Sequence, residues 1–271
     1  MGLENKVVLV TGAGATGGIG AGIAKCFANE GARVIITDLN EETVKSTASA
    51  IGEKVTGVVA DAANQAEMAR TIKDITDEFS GLDVLVNNAG IGGPKINFDE
   101  ISTSDSAFSG MSDDVWDQQL MFNLRTTFSS SHAAVPILAE GGSIINIASI
   151  AALGPTVSLP AYGAAKAGVV HLTKTLAMEL APRRIRVNCI CPGLVWTRAW
   201  ELLTTQMQAN QPELANMSQR QIFESVVQEM TPLGGEQTPE DIGNLAVFYA
   251  SENARMITGQ VVAVDGGISV K

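Results

Sequence analysis

Lys6-Val7-Val8-Leu9-Val10-Thr11, running into Gly12-Ala13-Gly14-Ala15-Thr16-Gly17-Gly18-Ile19-Gly20, is the stretch that decides the fold. The apolar run reads as a strand buried on both faces. Beyond the glycines, Ile23, Ala24, Phe27 and Ala28 fall at helical spacing, and Gly31 stops the pattern. A glycine-rich turn alone is a weak signal. Between a strand and a helix it gains weight, because it lets backbone approach a pyrophosphate at the helix N-terminus.

The next strand, Arg33-Val34-Ile35-Ile36-Thr37, ends at Asp38, eighteen residues after Gly20. A carboxylate there accepts the hydroxyls of an adenosine ribose and repels a 2′-phosphate. No Arg or Lys lies in the glycine turn or just after Asp38 to neutralise such a phosphate, so the sequence reads as NAD (NADH) in preference to NADP. Asp38 also suits a helix N-cap near Asn40 and Glu41, and the two roles are compatible. Residues 55–60 are expected as a third strand ending at Asp61. Residues 64–79 follow as an amphipathic helix with Met68, Ile72, Ile75 and Phe79 inward, then a fourth strand over 83–86 enters Asn87-Asn88-Ala89-Gly90. Strands alternating with helices, without repeats, predict an α/β fold with a doubly wound parallel sheet. Ligands of such sheets bind at the carboxyl ends of the strands, where the 12–20 turn, Asp38, Asp61 and Asn88 fall.

Residues 91–112 are rich in Gly, Ser and Asp and read as a surface loop. From Ser112, a suitable N-cap, one long helical pattern runs through Trp116, Leu120, Leu124, Phe128 and Val135. Asn123 lies inside it among apolar neighbours, where its amide needs a partner. A fifth strand over 142–148 delivers Ser149 at its end, and the following helix carries Tyr162-Gly163-Ala164-Ala165-Lys166. Tyr162 and Lys166 share a helix face, with Cβ atoms roughly 6 Å apart. A free phenol has a pKa of about 10, and bringing it to about 7 takes roughly 4 kcal/mol. A neighbouring ammonium supplies much of that, and a cofactor cation adds to it. Tyr-x-x-x-Lys on its own is common, and two residues merely sharing a face is then the better bet. Ser149 at a strand end, with the glycine turn and Asp38 at matching ends, reverses the odds.

A sixth strand over 184–190 leads to Cys191-Pro192-Gly193. Residues 197–231 form a helical excursion, and Trp196, Trp200, Leu202, Leu203, Met207, Met217, Ile222, Phe223 and Met230 give this region its large apolar groups. One more helix over 239–250 and a strand over 260–264 end at Asp265-Gly266-Gly267. The 271 residues suit a single domain spanning 1–271. The net charge of −11, without a basic block, argues against nucleic-acid and anionic-membrane partners. No run is long enough to span a membrane, and the N-terminal residues lack the pattern of a secretory signal. Gly2 is not read as a myristoylation site, since Lys6 stands at the usual Ser/Thr position. Cys26, Cys189 and Cys191 form no paired framework and, with two His, a poor metal set. Buried thiols in a reducing cytoplasm account for them.

With these pieces in order, the chain resembles the classical short-chain dehydrogenase/reductases along essentially its whole length. The matching residues are Thr11-Gly12…Gly18-Ile19-Gly20, Asn87-Asn88-Ala89-Gly90, Asn123, Ser149, Tyr162-x-x-x-Lys166, Pro192-Gly193 with Thr197, and Asp265-Gly266-Gly267. The resemblance implies a Rossmann-like subunit of about seven strands and a catalytic tetrad of Asn123, Ser149, Tyr162 and Lys166. It implies cofactor contacts from Gly12, Gly14, Gly18, Ile19, Asp38, Leu39, Asp61, Ala62, Asn88, Ala89, Gly90, Tyr162, Lys166, Pro192, Gly193, Val195 and Thr197. It further implies secondary alcohol/ketone interconversion, and a homotetramer pairing through the helices that carry Asn123 and Tyr162. The family uses the 197–231 segment as a substrate lid; this reading and plain core or oligomer packing stand level. A lid of this composition would suit an apolar or cyclic small molecule. One branch reduces acyl chains held on acyl carrier protein, an acidic partner. The turn Leu138-Ala139-Glu140-Gly141-Gly142 offers no cation for it, which places that branch second. A non-catalytic NAD-binding regulator would not need all four tetrad residues. The glycine turn is two residues longer than the family's usual Thr-Gly-x-x-x-Gly-x-Gly, so Gly12 or Gly14 can serve as its first glycine. The 91–112 loop is longer as well.

Overall fold

Seven parallel strands form one sheet in the order β3-β2-β1-β4-β5-β6-β7. They are β1 (Val7–Thr11), β2 (Arg33–Asp38), β3 (Val55–Val59), β4 (Leu82–Asn87), β5 (Leu138–Ile147), β6 (Arg186–Pro192) and β7 (Val261–Val264). The structure is a computed structural model that describes residues 1–90 and 108–270. Most of the expected 91–112 loop therefore lies outside the described residues. This is the doubly wound α/β sheet the strand pattern predicts, and the Rossmann-like subunit of seven strands that the resemblance implies. Because β4 returns beside β1, the chain reverses direction between them, and the crevice at their carboxyl ends is where such sheets bind ligands.

Helices α1 (Ile19–Asn29), α2 (Glu41–Ile51) and α9 (Pro239–Ala250) cover one face of the sheet. The other carries α3 (Gln65–Phe79), α4 (Asp113–Leu120), α5 (Thr126–Ala134) and α6 (Pro160–Leu180). Both layers are apolar, so Val8, Leu9 and Val10 of β1 are wholly buried and the strand reads as a continuous hydrophobic run. Beyond β6, α7 (Arg198–Asn210) and α8 (Gln219–Met230) make the excursion. No helix among the described residues is long and apolar enough to cross a membrane.

Two local readings need correction. The expected unbroken helix after Ser112 is interrupted: Met121–Arg125 is a π-helical turn, with Asn123 at its middle. Leu138–Gly142, read as a turn, instead belongs to β5, where Leu138 pairs with Leu82 before the register shifts between Leu82 and Val84.

A polar seam fixes the elements that carry the site. Asn87 and Asn146 are neighbours in the β4–β5 register. Asn87 Nδ2 donates to Asn146 Oδ1 at 2.8 Å and to Ser131 Oγ of α5 at 2.9 Å, while Asn146 Nδ2 donates to Thr173 Oγ1 of α6 at 2.9 Å. All four residues are buried, where a lost partner costs far more than a hydrogen bond at the surface is worth. Asn146→Leu is expected to cost about 2–4 kcal/mol, seen by calorimetry as a drop in Tm of roughly 5–10 °C. Adding Thr173→Val should cost little more. Fully additive losses would contradict the shared network.

Candidate active site

The glycine turn is clasped from the β4 side. Thr11 Oγ1 accepts from the N–H groups of Asn88 and Ala89, and Asn88 Nδ2 donates to the carbonyls of Thr11 (3.0 Å) and Gly12 (2.7 Å). The Asn88 side chain thus holds the turn. Gly12 adopts φ +65°, and a Cβ there would lie 2.5 Å from Ala89 Cα. Gly14 abuts β2 instead: its N–H donates to Asp38 Oδ2 at 2.8 Å, and its Cβ would fall 2.6 Å from Asp38 Cβ. The two glycines therefore divide the part that either alone was expected to play. Gly12 makes the turn and its approach to β4, and Gly14 makes the approach to β2.

The longer turn is tethered by a residue that the sequence did not single out. Thr47 of α2, buried, donates to the Gly14 carbonyl at 2.8 Å and shares a 2.9 Å hydrogen bond with Thr16. At the head of α1, Gly18 gives no side-chain cap and Ile19 opens a first turn without acidic residues. Uncapped leading N–H groups and the dipole suit an anion such as a pyrophosphate. Asp38, half-buried, turns Oδ1 to the Leu39 N–H at 2.7 Å, and Leu39 exposes its apolar side chain beside it. Asp61 Oδ1 accepts from Ala63 N–H across the buried Ala62. At the end of β6, after Pro192, Gly193 N–H donates to Val264, Val195 bridges to Gln237, and Thr197 is the N-cap of α7. Gln237 Oε1 accepts from Leu194 N–H at 2.5 Å, a support that sequence reasoning missed. These residues line the carboxyl ends of the strands, and a nicotinamide dinucleotide fits the donor set they present.

Across the crevice the four expected catalytic residues meet. Ser149 leaves β5 extended and caps a 3-10 turn, its Oγ accepting from Ala151 N–H at 3.2 Å. Tyr162 stands on the first turn of α6, Lys166 one turn on, with Nζ 5.8 Å from the Tyr162 ring centroid. Lys166 is 4% exposed and donates to the Ile147 carbonyl at 3.2 Å. Gly90 leaves room for this corner: its Cβ would stand 3.0 Å from Lys166 Nζ and 3.1 Å from Asn123 Oδ1.

Burial dominates the electrostatics. The Tyr162 hydroxyl is pushed up to about 12 from 10, chiefly by desolvation, with a Ser149 hydrogen bond working the other way. Lys166 is pulled down to about 8 from 10.5, again by desolvation first. In the chain alone, desolvation therefore outweighs whatever lowers the Tyr162 pKa. A half-desolvated phenol beside an amine driven towards neutrality stays a phenol.

The excursion divides the apolar set that was expected to act as one. Ile222 and Phe223 are fully buried, and Trp196 and Trp200 pack on Phe223 at 5.1 and 5.0 Å. The Arg220 guanidinium covers Trp196 and Phe223, 5.4 Å from each ring. Ile222 and Phe223 are interior packing, whereas Trp196, Trp200, Leu202, Leu203, Met207 and Met217 remain partly exposed.

A family model described as enoyl-(acyl carrier protein) reductase matches residues 12–269. The (2S)-[(R)-hydroxy(phenyl)methyl]succinyl-CoA dehydrogenase subunit BbsD of Thauera aromatica is 36% identical, over 100% of this chain and 99% of its own. The 3-oxoacyl-[acyl-carrier-protein] reductase FabG of Thermotoga maritima is 34% identical over the full length of both. Among solved structures, the ligand-free aldohexose dehydrogenase of Thermoplasma acidophilum superposes with a TM-score of 0.82 at 30% identity, covering 99% of this chain and 96% of that one. The chain belongs to the short-chain dehydrogenase/reductase family. It is an oxidoreductase of a family whose members bind nicotinamide cofactors.

The buried lysine has a measurable consequence. Between about pH 8 and 10.5 the unfolded chain holds the Lys166 proton while the folded chain releases it, so stability rises with pH through that window. Below pH 8 the folded state carries a constant penalty on the order of 3 kcal/mol. Lys166→Met should therefore stabilise the nucleotide-free protein at pH 7 by up to that amount, with the gain vanishing near pH 10.5. Denaturant titrations at both pH values check it, and an equal effect at both would contradict it.

Proposed function

We propose that this protein interconverts a secondary alcohol and a ketone with NAD(H), Tyr162 acting as general acid/base. The observation that carries the reading is the meeting of Ser149, Tyr162, Lys166 and Asn123 in one buried corner, across from an uncapped helix N-terminus. Bound along the strand ends, the nicotinamide cofactor supplies the hydride acceptor or donor and, when oxidised, a positive charge. Gly14, Gly18, Ile19, Asp38, Gly90, Pro192, Gly193, Thr197 and Lys166 would hold it. Tyr162 as phenolate takes the hydroxyl proton in oxidation and returns it in reduction. Ser149 hydrogen-bonds the substrate oxygen and stabilises charge as it develops there. Lys166 holds the nicotinamide ribose and favours the phenolate, and Asn123 holds a water on a proton path to Lys166.

Asp38 supports NAD over NADP, since a 2′-phosphate would meet its carboxylate. Exposed Leu153 and Val157, which follow Ser149 in the chain, support an apolar or cyclic substrate, with 197–231 as its lid and Leu202, Leu203 and Met207 on the partly exposed side. The printed substrates of the relatives range from an acyl-CoA to an aldohexose and do not select among these. The FabG relative supports a second reading, 3-oxoacyl-[acyl-carrier-protein] reductase-like activity, which the lack of a cation over 138–142 disfavours. Three buried free thiols fit a cytoplasmic setting. An open groove of about 660 Å³ between α4–α5 and α6, lined by Leu120, Leu124, Phe128 and Leu172, supports pairing of copies into a homotetramer.

Tyr162→Phe should lower NAD-linked oxidation across a secondary-alcohol panel by about 10²–10⁴-fold, followed by NADH absorbance. NADH affinity should stay within about threefold, since the ring remains. Substantial residual turnover would remove Tyr162 as the base, and binding without turnover in the unmodified protein would favour a regulatory role.

A further inference from the structure

Gln119 is a buried polar side chain on α4, 5% exposed, one turn before Asn123. Burying a primary amide is costly unless its hydrogen bonds are made. Its Oε1 accepts from Asn123 Nδ2 at 3.0 Å, and its backbone carbonyl accepts from the same Nδ2 at 3.2 Å. An amide can be turned end for end, and the hydrogen-bond network decides which way it lies. Here one partner leaves no choice. The Gln119 carbonyl can only accept, so it must face Nδ2 of Asn123. With Nδ2 so placed, the Gln119 side chain must present Oε1 to it. Asn123 Oδ1 is then left on the side of Gly90 and Lys166, against the same point that Lys166 Nζ approaches.

We propose that Gln119 is a positioning residue that locks the Asn123 carboxamide with its oxygen towards Lys166. It touches neither substrate nor cofactor. Its effect on turnover rests on the function proposed above; its effect on Asn123 and Lys166 does not. Without Oε1, Nδ2 loses its Gln119 side-chain acceptor, and the carboxamide rocks out of the orientation that offers Lys166 an acceptor. The π-turn places Asn123 there, and Gln119 decides which atom it shows.

The test uses the full chain with Gln119→Met, which keeps length and burial but removes the acceptor, and Gln119→Glu, which keeps an acceptor. The first readout needs no turnover. Each variant is paired with the same variant carrying Lys166→Met, and the difference in unfolding free energy across pH gives the Lys166 midpoint. The titratable groups facing Lys166 are Tyr162 on its own helix and the Cys189 and Cys191 thiols of β6, all common to each pair. Gln119→Met should lower the midpoint by about half a unit or more, because an amide N–H in place of Oδ1 disfavours the ammonium. Gln119→Glu should raise it through its charge. Should Gln119→Met not fold, Gln119→Leu, which also lacks the acceptor, takes its place with the same expected fall in the midpoint. The second readout is kcat for a secondary alcohol that the unmodified enzyme oxidises: about tenfold lower in Gln119→Met, within threefold in Gln119→Glu, with KM for NAD unchanged in both. A Lys166 midpoint unmoved by either substitution overturns the proposal whatever the activity. Failure of the unmodified enzyme to oxidise any alcohol overturns the proposed function and leaves the first readout to decide Gln119.

Discussion

Lys166 spends almost its whole length out of water, and the site is built around the cost of that placement. An ammonium buried this deeply gives up hydration that one backbone carbonyl, Ile147, does not replace. The same desolvation holds Tyr162 in its neutral form. Neither group is therefore a finished catalyst in the isolated chain. They form a pair whose charge states wait on a further charge, and the crevice beside them is shaped for a ligand that carries one.

The scaffold serves that pair by removing freedom. The Asn87–Asn146–Thr173 seam sets α6 against β5, and so sets Tyr162 and Lys166 against Ser149. The clasp of Asn88 on Thr11 and Gly12 sets the cofactor turn against the end of β4, and Gly90, just beyond that strand, faces Lys166 and Asn123. Thr47 and Asp38 grip the carbonyl and the N–H of Gly14 from α2 and β2. Each contact is worth about 1 kcal/mol or somewhat more by itself. Their joint effect is geometric, bringing strand ends, turn and helix to one place.

Much of this was legible in the residues. A parallel sheet buries both faces of its strands, so Val7–Val10 and Arg33–Thr37 announced themselves as apolar runs, and Asp38 and Ser149 marked strand ends by their polarity. The π-turn was not read, because apolar residues at Trp116, Leu120, Leu124 and Phe128 look helical on any wheel. Their steps of four carried a trace of it: an α-helix drifts about 40° per such step, and a wider turn absorbs the drift. Gln119 and Thr47 were missed because a single polar residue on a helix gives no sign of being buried until the neighbouring elements are in place. Desolvation of Tyr162, the largest effect on its pKa in the chain without cofactor, was not read, since spacing reports a nearby cation but says nothing of burial.

The central claim is that Tyr162 is a latent base, neutral in the free protein and activated by cofactor charge. Tyrosinate formation followed by ultraviolet difference absorbance tests it directly, because the chain has only two tyrosines and Tyr249 lies apart on α9. Without nucleotide, Tyr162 should form no tyrosinate until pH approaches about 12, and the signal of Tyr249, itself raised by burial, is identified by its loss in Tyr249→Phe. With saturating NAD, one tyrosine should titrate lower by about two units or more, and ADP-ribose, which lacks the nicotinamide, should not reproduce the full shift. Superimposable titrations with and without NAD would contradict the account.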